Sequence, residues 1–394
     1  MTVRRVVVVC NAMDDALRVE RAISTDSPAA SRKVFMMCQA LRSAGVRPIV
    51  VSLGRGRQDG SHRYFGAKVR RIYGVPVLYA AFWHRAVLSQ LLSILAPAVL
   101  LWRIRRLVGE KAVVFYNRMP AYAATLLLAW LLRLQRVLDL EDGEVTTQVR
   151  TLKDLMGIMT RWLFDSLCAG GALLACRALE RSTRLRPVTC YYGTAESRQS
   201  LAKWPERGLT ILIGGTVSRD TGAHLLVGAI TQLRKLQPVW AEGVNIAVTG
   251  KGESIDVLRQ LALQPGWPRV TVHGRTSDAE YRVIVDNAQV GLALKPRSGP
   301  LANTTFPSKV VELASAGLLV LTTDISDVRA LFGTGALYLM DESEEGLIER
   351  LKWSCENRDA AQRTAMLGMR RVLERCDPLL AGRALVSFLF RTSA

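Results

Sequence analysis

The N-terminal half opens with a pattern of apolar positions that is typical of an α/β domain. Residues 3–10, VRRVVVVC, form a β-branched run without polar alternation, which predicts a buried parallel strand. Apolar residues then recur with helical spacing over 31–45, a segment that ends at Gly45, and 46–54 again have the pattern of a strand. This order of strand, helix and strand predicts the start of a Rossmann-like domain.

The same alternation continues through the rest of this half. We expect two paired strands over 67–79, a strand over 111–117, a helix over 121–133 and a strand over 136–143.

The second half repeats the pattern after a stretch rich in Pro, Gly and polar residues near 187–207. Residues 208–296 alternate strands and helices around glycine-containing turns, and residues 345–390 are helical in pattern. We therefore predict three parts, which are an N-terminal Rossmann-like domain over 1–190, a C-terminal one over 191–375 and a closing helix over 376–394.

The charge of the chain is concentrated in its first half. The sequence has a net charge of +19, and residues 1–190 hold 29 basic and 13 acidic residues, a net +16. A basic half predicts an anionic partner, such as a nucleic acid, a phospholipid surface or a phosphorylated substrate. The seven cysteines form no CxxC pair and the four histidines are scattered, which favours a reduced, cytoplasmic protein without a metal site.

The same half contains the longest apolar runs, at 86–108, 121–138 and 154–179, each flanked by Arg and Trp. Nucleic-acid binders interleave basic residues with aromatic or small polar residues, whereas apolar helices with basic flanks are typical of a membrane surface. We therefore predict an anionic membrane surface as partner, and no nucleic acid. Residues 86–108 contain Gln90 and Pro97 and are too short in apolar sequence to span a bilayer. A buried core helix with a basic edge is the alternative.

The stretch NTTFPSKVVELASAGLLVLTTD, residues 303–324, has the strongest chemical pattern. It predicts a helix that begins near Pro307, with Thr305 as a candidate N-cap. The first amides of such a helix form an anion site, and Ser308, Lys309 and Glu312 share one face. The alternative is a solvated Lys–Glu pair on a capped helix.

A second candidate is LDLEDGE, residues 138–144, where Asp139, Glu141 and Asp142 end a strand in a half that has few acids. An acid here could orient an acceptor hydroxyl or offset positive charge at an anomeric carbon. We predict Asp142 first and Glu141 second as catalytic residues. A plain acidic turn before Gly143 is the alternative.

The FPSKVVEL…AG motif, preceded by ILIGGTVSRDTGAHLLVGAI, VTGKGES and VTVHGR, resembles the C-terminal half of GT-B glycosyltransferases of the family-4 kind over about residues 205–335. The resemblance implies two Rossmann-like domains that face each other across a cleft, with a C-terminal helix that crosses back. It also implies retaining transfer of a sugar from a nucleotide-sugar. Glu312 matches a glutamate that binds the ribose hydroxyls, and Ser308 and Lys309 lie where the family cradles the diphosphate. Gly214 and Gly215 match its glycine-rich turn.

The chain departs from this pattern in two places. Thr304 stands where the family usually has a glutamate that contacts the donor sugar, although FPSK variants often lack it. Thr216 and Thr221 stand where the family has an Arg and a Lys. Other cations must then offset the phosphate charge, and of these we favour Arg219 and Lys309. The remaining candidates are Lys251, which lies beside Gly250, Lys295 and Arg297.

The function predicted from these residues and this resemblance is a retaining, hexosyltransferase-type enzyme of bacterial surface polysaccharide or glycolipid synthesis. Its donor would be a nucleoside-diphosphate sugar, its acceptor a lipid-linked saccharide, and it would need no cofactor. We expect it at the inner face of the cytoplasmic membrane. Two alternatives are a catalytically inactive GT-B binding module and a dinucleotide-binding oxidoreductase, although no G-x-G-x-x-G follows VVVVC.

Overall fold

A computed structural model describes residues 3–23, 26–56, 64–83, 86–107, 109–143, 151–195, 204–205, 208–298, 302 and 304–391. The chain divides into two compact units. Unit 1 comprises Met1–Thr194 and Pro378–Ala394, and unit 2 comprises Ala195–Asp377.

The strands of unit 1 are β1 (Arg4–Cys10), β2 (Arg47–Ser52), β3 (Tyr64–Phe65), β4 (Lys68–Ile72), β5 (Val75–Tyr79), β6 (Phe82–Trp83), β7 (Glu110–Tyr116), β8 (Gln135–Leu140), β9 (Ala172–Leu174) and β10 (Val188–Cys190). Its helices before unit 2 are α1 (Asp15–Glu20), α2 (Pro28–Ser43), α3 (Ala86–Ile104), α4 (Ala123–Leu131) and α5 (Leu152–Leu167).

The main sheet of unit 1 has the order β10-β9-β8-β7-β1-β2-β5-β4, and only the β4–β5 pair is antiparallel. The β-branched run of β1 lies at its centre, where Val7 aligns with Ile49 on one side and Val113 on the other. All three of these side chains are buried. The predicted buried parallel strand and the predicted pair over 67–79 are therefore confirmed.

Two helix boundaries differ from the sequence prediction. Helix α2 begins at Pro28, before residue 31, because the Ser27 side chain accepts a hydrogen bond from the amide of Ala30 and Pro28 suits the first helical turn. The apolar run at 154–179 is one helix only in its first part, since the chain turns at Cys168 and continues as the buried strand β9.

The strands of unit 2 are β11 (Thr210–Thr216), β12 (Asn245–Lys251), β13 (Arg269–Gly274), β14 (Val290–Ala293), β15 (Leu319–Thr323) and β16 (Leu337–Leu339). Its helices are α6 (Ala223–Leu236), α7 (Ile255–Leu263), α8 (Asp278–Asp286), α9 (Lys309–Ser315), α10 (Val328–Phe332), α11 (Glu344–Glu356) and α12 (Arg358–Cys376). The sheet order is β13-β12-β11-β14-β15-β16 and all pairs are parallel. The alternation predicted over 208–296 is confirmed.

The closing helix α13 (Pro378–Leu389) belongs to unit 1, although it follows α12 of unit 2 directly in sequence. It packs on α2 and buries Leu385 and Leu389 in the unit 1 core. A β-carbon on Gly382 would lie 2.0 Å from the carbonyl oxygen of Ala40, so glycine sets the close approach of the two helices.

Candidate functional site

The carboxyl ends of β11 and β12 meet at a point where both strands require glycine. Gly215 aligns with Gly250, and both have positive φ angles, of 97° and 112°. A β-carbon on Gly250 would lie 1.9 Å from the carbonyl oxygen of Gly215, which no larger residue could avoid. Gly214 precedes this pair in β11, and a β-carbon there would lie 2.8 Å from the hydroxyl of Thr249. The three predicted glycines therefore lie together at the sheet edge where ligands of α/β domains bind.

Helix α9 places its charged residues beside these glycines. Lys309 Nζ donates a hydrogen bond of 3.0 Å to Glu312 Oε2 and one of 2.9 Å to the Tyr281 hydroxyl, and it lies 4.5 Å from the centre of the Tyr281 ring. A β-carbon on Gly215 would be 3.4 Å from Lys309 Cε, so the lysine stem crosses the end of β11. The predicted contact between Lys309 and Glu312 is thus present, and Gly215 lies beside it.

The start of α9 differs from the prediction. The helix begins at Lys309, its cap residue is Ser308 in a helical conformation, and the Ser308 side chain makes no capping hydrogen bond. Thr305 is not the N-cap, because its hydroxyl accepts a hydrogen bond from Lys295 Nζ. Ser308 itself is exposed at the helix start.

The loop after β11 is closed by its own side chains. The Thr221 hydroxyl donates to the carbonyl of Thr216 at 2.7 Å, and the amide of Arg219 donates to Glu253 Oε1 at 3.0 Å. These bonds hold the backbone of Arg219 next to the turn that follows Lys251. Both cations are exposed at this edge. Within the described parts of the chain, the Arg219 guanidinium forms no hydrogen bond or ion pair.

The remaining predicted cations of unit 2 divide into two groups. The Lys295 ammonium donates a hydrogen bond to the Thr305 hydroxyl, and the amide of Lys295 donates to the Thr323 hydroxyl at 3.1 Å. These two bonds hold Lys295 at the sheet edge. Arg297 instead pairs with Glu342 at 2.8 Å. The hydroxyl oxygen of Thr304 is buried and has no hydrogen-bond partner among the residues that the structure describes. This is the position where the family resemblance expects a donor-sugar glutamate.

The acids of LDLEDGE lie in unit 1 and differ in burial. Asp139 is inside β8 with its side chain 1% exposed, Glu141 follows the strand with 14% exposed, and Asp142 is exposed. Lys33 of α2, with 8% of its side chain exposed, donates a hydrogen bond to Glu141 Oε1 and lies 3.9 Å from Asp139 Oδ1. Two carboxyl groups thus share one buried ammonium. Glu144, at the end of this stretch, lies outside the described residues.

This cluster has perturbed titration. Burial raises the pKa of Glu141 to about 7, against the lowering effect of Lys33, and burial also raises the pKa of Asp139. Burial alone would lower the pKa of Lys33, but Asp139 and Glu141 outweigh it and the pKa of Lys33 is raised. A carboxyl group with a pKa near neutrality can exchange a proton with a bound hydroxyl at physiological pH.

The surroundings fix the geometry of this cluster. The amide of Glu141 donates to Asn117 Oδ1 at 2.8 Å, and Asn117, with a φ of 60°, donates its own amide to the carbonyl of Asp139 at 2.7 Å. Lys33 Nζ lies 5.0 Å from the centre of the Tyr191 ring. Glu141 is therefore held at both its backbone and its side chain.

Sequence reasoning missed Lys33, Tyr281 and Asn117. Lys33 lies inside a helical pattern and joins the acids across 108 positions of sequence, so no local spacing could reveal it. A polar Asn directly after the apolar strand β7 was the one available signal for Asn117. Among the described residues, no group of three His, Cys, Asp or Glu side chains is placed to hold a metal ion.

Residues 229–378, from within α6 to the first residue of α13, match a family model described as "Glycosyl transferase-like". A comparison with curated protein sequences gives no match. Solved structures similar over nearly the whole chain include Anabaena HepE in complex with UDP (13% identity, 98% of this chain and 99% of that chain, TM-score 0.66).

Two further similar structures extend the comparison. Sucrose-phosphate synthase from Thermosynechococcus elongatus is 12% identical, with 97% of each chain covered and a TM-score of 0.66. The E. coli protein described as "Trehalose-6-phosphate", bound with UDP-2-fluoro glucose, is 13% identical, with 99% of each chain covered and a TM-score of 0.63. The likeness to these structures confirms the predicted α/β fold of the GT-B type, with two units built on mainly parallel sheets.

Proposed function

We propose that this chain is a retaining glycosyltransferase, of the family-4 kind, that uses a nucleoside-diphosphate sugar. The observation that carries the proposal is the Lys309–Glu312 pair beside Gly215 at the carboxyl edge of the unit 2 sheet. In the proposed complex Glu312 accepts hydrogen bonds from the two ribose hydroxyls. Lys309 turns from Glu312 toward the diphosphate, whose charge is also met by Arg219 and Lys251. The matched residues 229–378 include this pair, which supports the proposal.

The proposed reaction replaces one bond at the anomeric carbon of the donor sugar with another. The acceptor hydroxyl oxygen bonds to the anomeric carbon on the face from which the diphosphate leaves, while the bond between that carbon and the phosphate oxygen breaks. The acceptor proton passes to the departing phosphate oxygen. Glu141 and Asp142 orient the acceptor hydroxyl, and a Glu141 carboxyl group with a near-neutral pKa can either accept a hydrogen bond from that hydroxyl or donate one to it.

The acceptor is proposed to be a lipid-linked saccharide, used in bacterial surface polysaccharide or glycolipid synthesis at the inner face of the cytoplasmic membrane. The net charge of +16 in residues 1–190 supports a site close to anionic lipid. Among the described residues, no helix combines the length and the apolar content that a bilayer crossing requires.

The first experiment is a thermal-shift panel of UDP, GDP, ADP, dTDP and NAD on the wild type and on Glu312→Ala. Similar structures solved with UDP and UDP-2-fluoro glucose make UDP the first nucleotide to test. Loss of two charge-assisted hydrogen bonds, about 3 kcal/mol together, should weaken diphosphate binding about 100-fold. Glu349→Ala, an exposed acid on α11, is the control and should bind like the wild type. Stabilisation by NAD alone, or equal stabilisation of wild type and Glu312→Ala by UDP, contradicts the proposal.

A catalytically inactive binding module is the second candidate, and Thr304 favours it. The family resemblance places a glutamate at this position, whereas here a buried hydroxyl without a hydrogen-bond partner among the described residues stands there. Release of UDP from UDP-glucose in the presence of a membrane extract distinguishes the two candidates. An enzyme releases UDP and labels the lipid fraction with sugar, and a binding module stabilised by UDP does neither.

A further inference from the structure

Three neighbouring helices of unit 1 expose apolar side chains that the core does not use. On α3 the exposed stripe is Leu91, Leu95, Val99 and Trp102, which repeats with helical spacing, while Leu100 and Leu101 are buried on the opposite side. Helix α3 is therefore not the fully buried core helix that the sequence left open. Monomeric soluble proteins rarely expose contiguous apolar surface of this kind without a partner.

Helices α4 and α5 continue this surface. Helix α4 packs against both α3 and α5, and it exposes Leu127, Trp130 and Leu131, the last of them 68% exposed. Helix α5 exposes a longer set, made of Leu155, Met156, Ile158, Met159 and Trp162, with Trp162 also 68% exposed. We call these exposed side chains of α3, α4 and α5 the apolar face.

Helix α5 has a separate face for the core. Phe164 is fully buried and its ring meets the Phe115 ring edge-on at 5.8 Å. Asp165 is paired with Arg118 at 2.7 Å, where both side chains are less than a tenth exposed. The apolar face of α5 therefore lies apart from the residues that attach this helix to its own unit.

The charges on α3, on α4 and on the segment between them have one dominant sign, whereas the charged residues of α5 are balanced, with Lys153 and Arg161 against Asp154 and Asp165. Residues 86–136 contain seven basic residues and one acidic residue, Glu110, which is paired with Arg4. Six of the basic residues are Arg103, Arg105, Arg106, Lys111, Arg133 and Arg136, and the seventh, Arg118, is buried against Asp165 and does not border the face. Arg105 lies over the exposed Trp102 ring at 3.3 Å from its centre. Such a pair has an apolar and a cationic end, as residues at a lipid–water interface do.

A small cavity lies at the edge of this face. It has a volume of about 310 Å³ and is lined by Trp130, Arg133, Gln135, Arg136, Ala169 and Gly170, together with Leu134. No acidic side chain is among them. The exposed Trp130, the amide of Gln135 and the exposed Arg133 around one concavity suit an anionic head group, while Arg136 donates hydrogen bonds to the backbone carbonyls of Leu134 and Leu167.

We infer that the apolar face, with its arginine border, is a docking surface for acidic phospholipid. Nucleic acid fits less well, because leucine, methionine and isoleucine side chains offer no stacking platform or hydrogen bond to a base. This inference rests on the proposed function only for the location of the acceptor. The face would hold unit 1 against the leaflet that carries a lipid-linked saccharide.

The test is flotation of the full-length protein with vesicles of phosphatidylcholine alone or mixed with phosphatidylglycerol, without donor or acceptor. We expect binding to the mixed vesicles only, weakened by high salt. The double variant Leu131→Ser/Trp162→Ser should lower the partition coefficient by at least about tenfold. Leu236→Ser/Leu263→Ser is the matched control, because it removes two side chains of unit 2 that are 73% and 88% exposed, and it should bind like the wild type.

A charge series tests the arginine border. Arg103→Gln/Arg106→Gln should lower the partition coefficient on acidic vesicles on the order of tenfold at low salt. Arg370→Gln/Arg371→Gln, exposed on α12 of unit 2, changes the net charge equally and should have little effect.

Several results overturn the inference. One is equal binding to neutral and acidic vesicles, and another is a loss of vesicle binding in the control variants that equals the loss in the test variants. A third is binding of random DNA without vesicle binding. The last is self-association that depends on protein concentration and is abolished by Leu131→Ser/Trp162→Ser, while vesicles are not bound. The thermal-shift panel needs no membrane, and flotation needs no nucleotide. Failure of this inference is therefore separable from failure of the proposed activity.

Discussion

The cluster of Lys33, Asp139 and Glu141 should make the stability of unit 1 depend on pH in an unusual direction. The perturbation is Glu141→Gln, which removes the titrating carboxyl group and leaves Lys33 paired with Asp139 alone. In the wild type the folded-state pKa of Glu141, about 7, is higher than the ordinary value of 4.5. The folded protein therefore binds more protons than the unfolded chain between these pH values. Its stability should fall as pH rises through this window.

The magnitude follows from the size of the pKa difference. A shift from 4.5 to about 7 corresponds to about 3 kcal/mol, since one pKa unit is worth about 1.4 kcal/mol. The side chain of Glu141 is only 14% exposed, so solvent screens little of this energy. We expect wild type and Glu141→Gln to have similar stability near pH 4.5, and the variant to be more stable by about 3 kcal/mol near pH 8.

Lys33→Met removes the cation of the same cluster and should lower the stability of unit 1, whereas Glu141→Gln should raise it. Removal of the ammonium leaves two buried carboxyl groups without their cation, which should cost about 3–5 kcal/mol when both are ionised. The cost should shrink at low pH, where protonation removes the charges. The unfolding free energies of Glu141→Gln and Lys33→Met should therefore diverge as the pH rises.

The assay is urea unfolding at a series of pH values, read by hydrogen-exchange mass spectrometry. Peptides from β8 report on unit 1, and peptides from β14 report on unit 2 as the internal control. We expect the difference in unfolding free energy between wild type and Glu141→Gln to change by about 3 kcal/mol over the titration of Glu141. A difference that stays constant from pH 5 to pH 8 would refute the reasoning.

Two other predictions concern unit 2. Gly250→Ala places a β-carbon 1.9 Å from the Gly215 carbonyl oxygen at a φ of 112°, and it should destabilise unit 2 by about 3 kcal/mol, a shift of roughly 6–12 °C in its melting temperature. Calorimetry measures this, and Gly157→Ala, which meets no atom within 4 Å, should not lower the melting temperature. Tyr281→Phe removes the hydroxyl that holds Lys309 Nζ at 2.9 Å and should weaken UDP binding about fivefold to tenfold by isothermal titration; an unchanged dissociation constant would exclude a positioning role for Tyr281.

The sequence predicted the features of the fold and of the site that depend on residues close together in the chain. The β-branched run of β1 and the alternation over 208–296 gave the α/β architecture, because buried parallel strands and amphipathic helices have distinct periodicities. The spacing of Lys309 and Glu312 predicted their contact, since residues three apart on a helix are neighbours.

Other features depend on contacts between distant parts of the chain. The burial of Lys33 follows from the packing of α2 on the sheet that contains β8, and neither segment reveals it alone. The glycines at 215 and 250 resemble a phosphate-binding turn in sequence, yet the close approach of β11 and β12 requires Gly250 even without a ligand. The strand β9 was hidden in the apolar run 154–179, because a short buried strand and a buried helix are equally apolar.

The position of α13 has a consequence for the order in which the two units can fold during synthesis. Unit 2 is continuous in sequence, whereas unit 1 is completed only by residues 378–394. During synthesis unit 2 can therefore finish folding while α2 still lacks the helix that covers it. Until residues 378–389 are available, the nascent unit 1 leaves uncovered the apolar surface that Leu385 and Leu389 later fill, and exposed apolar surface of this kind makes a folding intermediate prone to aggregation.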